Sequence, residues 1–299
     1  MRSIRSAITE AAHVVRPHAA RHHLTLGKVA IWATLVLVMF VAMFPFLYAL
    51  TTSFKTPLAS FDGTVIPWFQ YQPTLANWEA EFGSGGPETF KALGNSVLIA
   101  ISATIFATTL GTLAGYGLGR FRYSVGNRNL VSWFLSQRFL PPIATVIPFV
   151  LLFRDLHLLD TILGLTIVNT TFTLPFAVLI MRDFFADFPA DLEESALVDG
   201  ASQFQVFWEI ALPLAGPALV AAIIICFAFS WNEFLFASTL ALRNAKPYSL
   251  LIGGTDAVRG IQFGFVSTRL VIAVTLPAVL SLLVQRYIVR GLALGAVKG

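Results

Sequence analysis

The sequence predicts an all-α polytopic membrane protein with six transmembrane helices. Of its 299 residues, 56% are hydrophobic and only 12% are charged, and the mean hydropathy is +0.75. A water-soluble domain does not have this composition. The apolar residues gather in six runs, each near the ~20 residues that a helix needs to cross the hydrocarbon core. The runs cover residues 29–50, 95–118, 130–152, 162–181, 217–240 and 268–284.

A basic segment, residues 1–28, precedes the first run. That run is longer than the core of about 7–15 residues found in signal peptides, so we expect it to stay in the protein. If the N-terminus is cytoplasmic, the cytoplasmic segments hold 12 of the 20 lysine and arginine residues and the opposite segments hold seven. This bias predicts that both termini are cytoplasmic. The pI near 9.4 follows from that topology, and no nucleic-acid binding is expected.

The second run carries a stripe of small residues, Ala107, Gly111, Gly115 and Gly119, at four-residue intervals. This spacing places them on one face of a helix, where the missing side chains let another helix approach closely. We therefore predict that the stripe packs against a second transmembrane helix.

Runs three to five contain polar and ionisable residues, which are rare on helix faces that meet lipid. Gln137 and Arg138 lie in run three, where three prolines within eight residues predict a kinked or partly unwound helix. Run four carries Asn169, and run five carries Asn232 and Glu233. We predict that these five residues line a central substrate pathway. The alternative is that Arg138 and Glu233 form an ion pair that holds two helices together.

Residues 182–213, between runs four and five, hold seven acidic side chains against one arginine, a net charge of −6. Pro189 suits the first turn of a short helix, and Gly200 suits a left-handed helix end. Ser202 and Gln205 form a capping box that starts a second helix. The resulting helix–turn–helix is too acidic to be held at an anionic membrane surface. We therefore predict that it binds another protein.

Seven residues of this segment stand at the spacing of a known loop: Glu194, Ser195, Ala196, Gly200, Ile210, Leu212 and Pro213. The pattern resembles the EAA loop of binding-protein-dependent ATP-binding cassette (ABC) importers, with Ser195 replacing one alanine. Further similarity lies in Asp183-Phe184-Phe185, in Trp231-Asn232-Glu233-Phe234 and in the Gly-Ala-Val-Lys-Gly terminus. Over roughly residues 28–299 the chain is similar to carbohydrate-importer permeases of the maltose and glycerol-phosphate type, specifically their smaller, MalG-like subunit.

This resemblance implies the type I ABC importer permease fold and a place in the plasma (inner) membrane of a bacterium or archaeon. It implies a heterodimer with a second, MalF-like permease subunit, two ABC ATPase subunits that bind ATP and Mg, and an extracytoplasmic solute-binding protein. The implied solute is a sugar or a related polyhydroxylated compound, and its identity stays open. The chain has no Gly-x4-Gly-Lys-[Ser/Thr] phosphate loop, so it cannot bind ATP by that motif. The resemblance implies that this chain is not an enzyme and binds no cofactor itself, because the partner subunits hydrolyse ATP.

The resemblance also divides the chain into a basic N-terminal extension at 1–28, a permease domain at 29–290 with the EAA loop at 183–213, and a tail at 291–299. In this family the loop inserts into a groove on the ATPase. That contact falls here on Glu193, Glu194, Ser195, Ala196, Asp199, Gly200, Ala201, Ile210, Leu212 and Pro213. The tail is similar to one that reaches between the ATPase subunits, here through Gly295, Lys298 and Gly299.

Two other classes of protein are open from the residues alone. An ion-gradient-driven secondary transporter would use Arg138 and Glu233 as a proton or ion relay, but it has no need of an acidic hairpin, and no clear inverted repeat is seen. A membrane-embedded enzyme is disfavoured because no His-x-x-Glu-His or Gly-x-Ser-x-Gly motif is present. The lone Cys226 lies inside run five, so no disulfide and no metal site are expected.

Overall fold

The computed structural model describes residues 26–121, 127–137, 139–253 and 262–295, and within these ranges the chain is helical apart from its loops. The all-α prediction is confirmed. The helices are α1 (Leu26–Thr52), α2 (Ala76–Phe82), α3 (Gly86–Arg120), α4 (Asn127–Gln137), α5 (Pro142–Asp155), α6 (Ile162–Asp187), α7 (Ala190–Val198), α8 (Gln203–Leu214), α9 (Gly216–Trp231), α10 (Leu235–Leu240), α11 (Tyr248–Gly253) and α12 (Phe263–Gly295).

Four of these helices, α1, α3, α6 and α12, are long and apolar enough to cross a membrane. Two bent pairs, α4 with α5 and α8 with α9, each pass the same test as one broken span, which gives up to six. The break between α4 and α5 lies where the prolines of run three predict it. Run five differs from the prediction, because its helix ends at Trp231 and α10 starts separately. Glu233 stabilises the start of α10 by accepting hydrogen bonds from the backbone N–H groups of Phe236 and Ala237.

The described chain divides into two units, Met1–Leu47 and Tyr48–Gly299. In the first unit the structure describes the residues of α1 from Leu26 onward, and the side chains of 29–46 are exposed. An apolar helix of this kind needs lipid or another subunit around it.

In the second unit, α3 and α6 run parallel and pack closely along their length. Ser102 and Thr166 share a hydrogen bond of 2.8 Å between their hydroxyls. A Cβ added to Gly111 would lie 2.4 Å from Ala177 Cβ, and one added to Gly115 would lie 2.7 Å from the Cβ of Met181. Only glycine permits this approach. The predicted packing of the small-residue stripe is confirmed, and its partner is α6.

Helix α9 runs antiparallel to this pair and packs on both members. Ala107 of α3, Ala177 of α6 and Cys226 of α9 form one buried cluster. On its other side α9 meets α12, where the Trp231 indole donates to the carbonyl of Ala273 at 3.0 Å. Helices α3, α6, α9 and α12 thus form a bundle with two ends. Helices α7 and α8 lie at one end, where α3 and α6 terminate.

The opposite end is held together by Asp160, in the loop between α5 and α6. Its carboxylate accepts hydrogen bonds from four successive backbone N–H groups, those of residues 242–245, at 2.9–3.1 Å. Partial burial alone would raise the pKa of Asp160, but these four hydrogen bonds outweigh it and lower the pKa to about 2. The charged carboxylate therefore fixes the loop before α11.

Candidate functional site

The hairpin formed by α7 and α8, residues 190–214, is built by the local signals found in the sequence. Phe188 is extended before Pro189, which ends α6 and precedes the first residue of α7. Ser202 Oγ accepts the N–H of Gln205, and the Gln205 side chain accepts the N–H of Ser202. The predicted capping box is confirmed.

Gly200 makes the turn between the two helices with a φ of +93°. The N–H of Ala201 donates to the carbonyl of Ala196 at 3.0 Å, as in a Schellman helix end. No heavy atom lies within 4 Å of a Cβ built on Gly200. Glycine is therefore required for its backbone conformation and not for lack of space.

The inner side of α8 packs on the ends of α3 and α6. Val206, Phe207 and Ala211 are buried, and the Phe207 ring lies 4.8 Å from that of Tyr116. Tyr116 in turn contacts Phe185 edge-on at 5.1 Å. A π-helical stretch, Val206–Ala211, covers this contact. The hairpin is thus seated on the transmembrane helices by an aromatic cluster.

Glu193 points inward, unlike the neighbouring Glu194, which is exposed. Its carboxylate lies 2.7 Å from the guanidinium of Arg120, the last residue of α3. The sequence predicted Glu193 to be part of the ATPase contact, but its side chain is buried against Arg120, for which no role was predicted. The helix period could have shown that Glu193 faces inward. Ala196 and Leu197, three and four positions later, lie on the same face of the helix, and that face is the inner one.

The outward side of the hairpin combines acidic and apolar residues. Val198 is 87% exposed and Phe204 is 71% exposed. The full set comprises Asp191, Leu192, Glu194, Val198, Asp199, Phe204, Trp208 and Glu209, and we call it the hairpin surface. Large apolar side chains rimmed by charge are typical of a protein interface. The charges of this surface are evident from the sequence, whereas the exposure of Val198, Phe204 and Trp208 is not.

The other predicted hairpin residues lie beside or beneath this surface. Ser195 is exposed and its hydroxyl donates to the carbonyl of Leu192, so serine fits the helix here. Pro213 is also exposed. The half-buried members of the predicted set are Ala196, Ala201, Ile210 and Leu212.

The structure brings together only some of the residues predicted to line a pathway. Asn169 and Glu233 meet Ser96 and Ser230 around a cavity of about 10 Å³, which has room for about one water molecule. Ser230 Oγ is buried there without a hydrogen-bond partner among the described residues. In this arrangement of the helices the cavity is too small for a sugar.

Gln137 lies at a different cavity, of about 420 Å³, between α3, α4 and α6. Its lining is mainly apolar and includes Trp133, Thr170 and Thr171. Asn232 is exposed and donates to a carbonyl of its own helix.

Several predicted residues lie outside the described part of the chain. They are Arg138, Lys298 and Gly299, together with residues 1–25 of the N-terminal extension. Gly295 is the last residue of α12. The tail contact and the Arg138–Glu233 ion pair therefore stay predictions.

A bundle of apolar helices with an exposed acidic and apolar hairpin at one end is typical of a multi-pass membrane protein that binds a partner at that end. Residues 107–294 match the family described as "Binding-protein-dependent transport system inner membrane component". The chain belongs to this family. The trehalose transport system permease protein SugB of Mycobacterium tuberculosis is 34% identical over 274 residues, 90% of this chain and 97% of that protein.

Other known proteins agree with this assignment. The trehalose/maltose transport system permease protein MalG of Thermococcus litoralis is 30% identical over 88% of this chain and 94% of its own length. The sulfoquinovosyl glycerol transport system permease protein SmoH of Agrobacterium fabrum is 30% identical over 86% and 89%. The fold matches a chain of a bacterial ABC transporter that imports the acidic polysaccharide alginate, with a TM-score of 0.71, 20% identity, and 91% of this chain and 99% of that chain covered.

Family membership settles the class of protein. The chain is a permease subunit of a binding-protein-dependent ABC importer, has the fold of such permeases, and leaves ATP hydrolysis to a separate subunit. The secondary-transporter and enzyme alternatives are set aside on this ground.

Proposed function

We propose that this chain is the smaller, MalG-like permease subunit of an ATP-driven importer for a carbohydrate or a related polyhydroxylated solute. It pairs with a second, MalF-like permease subunit, and two ABC ATPase subunits bind ATP and Mg. An extracytoplasmic solute-binding protein delivers the solute. Both termini and the hairpin face the cytoplasm of a bacterium or archaeon, in line with the distribution of lysine and arginine.

The observation that carries this proposal is the hairpin surface. Large exposed apolar side chains among acidic ones are typical of a surface that another protein covers. Glu194 lies on its outer side, at the position where the EAA loop has its glutamate. We infer that the ATPase covers the hairpin surface, with its own basic residues facing Asp191, Glu194 and Asp199. The tail, with Gly295, Lys298 and Gly299, is the second contact proposed with the ATPase.

The carbohydrate class is supported by three relatives whose names specify trehalose, trehalose and maltose, or sulfoquinovosyl glycerol. Gln137, Arg138, Asn169, Asn232 and Glu233 remain the proposed pathway residues. Asn169 and Glu233 are the pair that the fold brings together. An amide and a carboxylate side by side suit the hydroxyl groups of a sugar, provided that the cavity widens during transport.

The test is uptake of radiolabelled trehalose and maltose into proteoliposomes that contain the complete importer, its ATPase and its binding protein. We expect uptake of at least one sugar when ATP is enclosed with the ATPase, and none with ADP. Uptake driven by a proton or sodium gradient without ATP would contradict the proposal. Binding of each sugar to the isolated solute-binding protein, measured by calorimetry, selects the substrate independently.

A further inference from the structure

We propose that Arg120 and Glu193 form a tie that fastens the hairpin to the transmembrane helices, so that α7 and α3 move as one body when the ATPase moves. This makes them positioning residues for transport, whereas Glu194 belongs to the docking contact. The inference rests on the proposed docking of the hairpin surface on the ATPase.

The guanidinium of Arg120 holds three elements at one point. It donates to the carboxylate of Glu193 in α7 at 2.7 Å and to the carbonyl of Phe188, between α6 and α7, at 3.0 Å. It also approaches the carbonyl of Phe185 in α6 at 3.5 Å and lies over the Phe188 ring, 5.6 Å from its centroid. A lysine could not make these contacts together, because it lacks the planar fork of donors.

Burial sets this contact apart from the two ion pairs between adjacent residues, and among the described residues only the Glu81–Arg269 pair is buried to a similar degree. The side chains of Arg120 and Glu193 are 13% and 10% exposed. The pairs Arg154–Asp155 and Arg182–Asp183 join adjacent residues, and their aspartates are largely exposed. Exposed pairs of that kind contribute little because water and salt screen them. Breaking one partner of a buried pair is strongly unfavourable.

Glu193 depends on Arg120 for its place. Its second carboxylate oxygen, Oε1, is buried and has no hydrogen-bond partner among the described residues, and the same holds for Tyr116 Oη. Among the residues that the structure describes, Arg120 is the one charged group paired with this carboxylate. Without that guanidinium the buried carboxylate would be unpaired, and the cost of burying it would favour movement of α7 away from α3 toward solvent.

The tie ends on a rigid part of the bundle. Arg120 follows Gly119, where an added Cβ would lie 2.9 Å from Phe185 Cβ. Helix α3 therefore touches α6 backbone to backbone directly below the tie. A displacement of α7 reaches both helices without passing through a flexible loop, because packed helices transmit strain.

The adjacent glutamates provide a matched pair of variants. In the complete importer with Cys226→Ala, nitroxide labels at position 190 in α7, which is exposed but outside the hairpin surface, and at position 113 in α3 report the distance between the two helices. The distance between the two labels is measured by double electron–electron resonance before and after addition of ATP and vanadate. Docking is measured separately, as the yield of cross-linking between a cysteine at position 198 and the ATPase.

In the parent we expect one narrow distance that is the same in both states. Glu193→Gln should keep the cross-link but shift or widen the distance when ATP and vanadate are added. Glu194→Gln should keep the narrow distance and lower the cross-linking yield by roughly fivefold or more. Arg120→Met combined with Glu193→Leu removes both charges while filling the space, so it should fold and also show the shift.

The proposal would be overturned if Glu193→Gln and the double variant both kept the narrow distance after addition of ATP and vanadate. It would also be overturned if the distance in the parent itself changed. Failure of both variants to assemble would overturn it as well, since the pair would then serve folding. A parent that does not cross-link to the ATPase would instead contradict the proposed docking. The two failures are thus distinguishable.

Discussion

The carboxylate of Glu81 is fully buried and accepts a hydrogen bond from Nε of Arg269 at 2.8 Å, across 188 positions of the chain. Its other oxygen accepts the hydroxyls of Thr89 and Tyr248, and Arg269 also donates to the carbonyl of Leu251. One carboxylate thus joins α2, α3, α11 and α12 at the end of the bundle opposite the hairpin.

We expect Glu81→Gln to destabilise the protein by about 3 kcal/mol, because it leaves the partly buried charge of Arg269 without its counterion. The melting temperature of the detergent-solubilised chain should fall by roughly 5 °C or more. Glu79→Gln is the control, since Glu79 is exposed in the same short helix and should change little. Equal melting temperatures for the two variants would show that the network is not a stabilising element.

The hydrogen bonds from residues 242–245 to the Asp160 carboxylate, which we call the Asp160 clasp, predict that stability depends on pH. Because the folded-state pKa is about 2, below the value near 4 of an unfolded aspartate, the clasp contributes stability that is present above about pH 4. That contribution is lost as the pH falls toward 2.

Asp160→Asn should therefore lower the melting temperature at pH 7, because an amide cannot accept all four backbone hydrogen bonds as a charged carboxylate does. The difference in melting temperature from the natural chain should narrow as the pH falls from about 4 toward 2. A difference that stays constant over this range would contradict the assigned role of the charge.

The contact between α3 and α6 predicts different outcomes for two neighbouring glycines. A Cβ on Gly115 would lie 2.7 Å from that of Met181 and 2.8 Å from the backbone nitrogen of Arg182, whereas a Cβ on Gly117 meets nothing within 4 Å. We expect Gly115→Ala to force the helices apart and to lower the melting temperature and the yield of folded protein. Gly117→Ala should be neutral, or stabilising by up to about 1 kcal/mol through its helix propensity.

The turn of the hairpin allows a similar comparison. Gly200 and Gly216 both have open space for a Cβ, but of the two only Gly200 has a positive φ. Gly200→Ala should strain the turn by about 1–2 kcal/mol, so that α7 amides exchange with solvent roughly fivefold faster or more. Gly216→Ala should leave their exchange unchanged. Hydrogen exchange measured by mass spectrometry gives the exchange rates of the α7 amides. Equal rates in the two variants would exclude a strained turn.

The features that the sequence predicts well are local ones. The stripe at Gly111 and Gly115, the turn at Gly200 and the capping box of Ser202 depend on the spacing of residues within one or two turns of helix. Helix geometry fixes what such a spacing does, whatever the rest of the fold. The same is true of the break after Gln137, which the prolines impose.

The features that it misses join residues far apart in the chain. Arg120 and Glu193 are separated by 73 positions and Glu81 and Arg269 by 188, so no periodicity of either segment shows the pairing. The break at Asn232 depends on the Glu233 carboxylate accepting backbone N–H groups of the next helix. An acidic residue at that position suits a pathway lining as well as a helix cap, so the sequence does not show the cap.

The central claim, that the ATPase covers the hairpin surface, is tested most directly by cross-linking in the complete importer with Cys226→Ala. Val198→Cys places a thiol on the hairpin surface, and Leu58→Cys places one that is equally exposed, at 86%, at the opposite end of the bundle. A thiol-to-amine cross-linker should join the ATPase to position 198 and not to position 58. Cross-linking at neither position, or equally at both, would contradict the account.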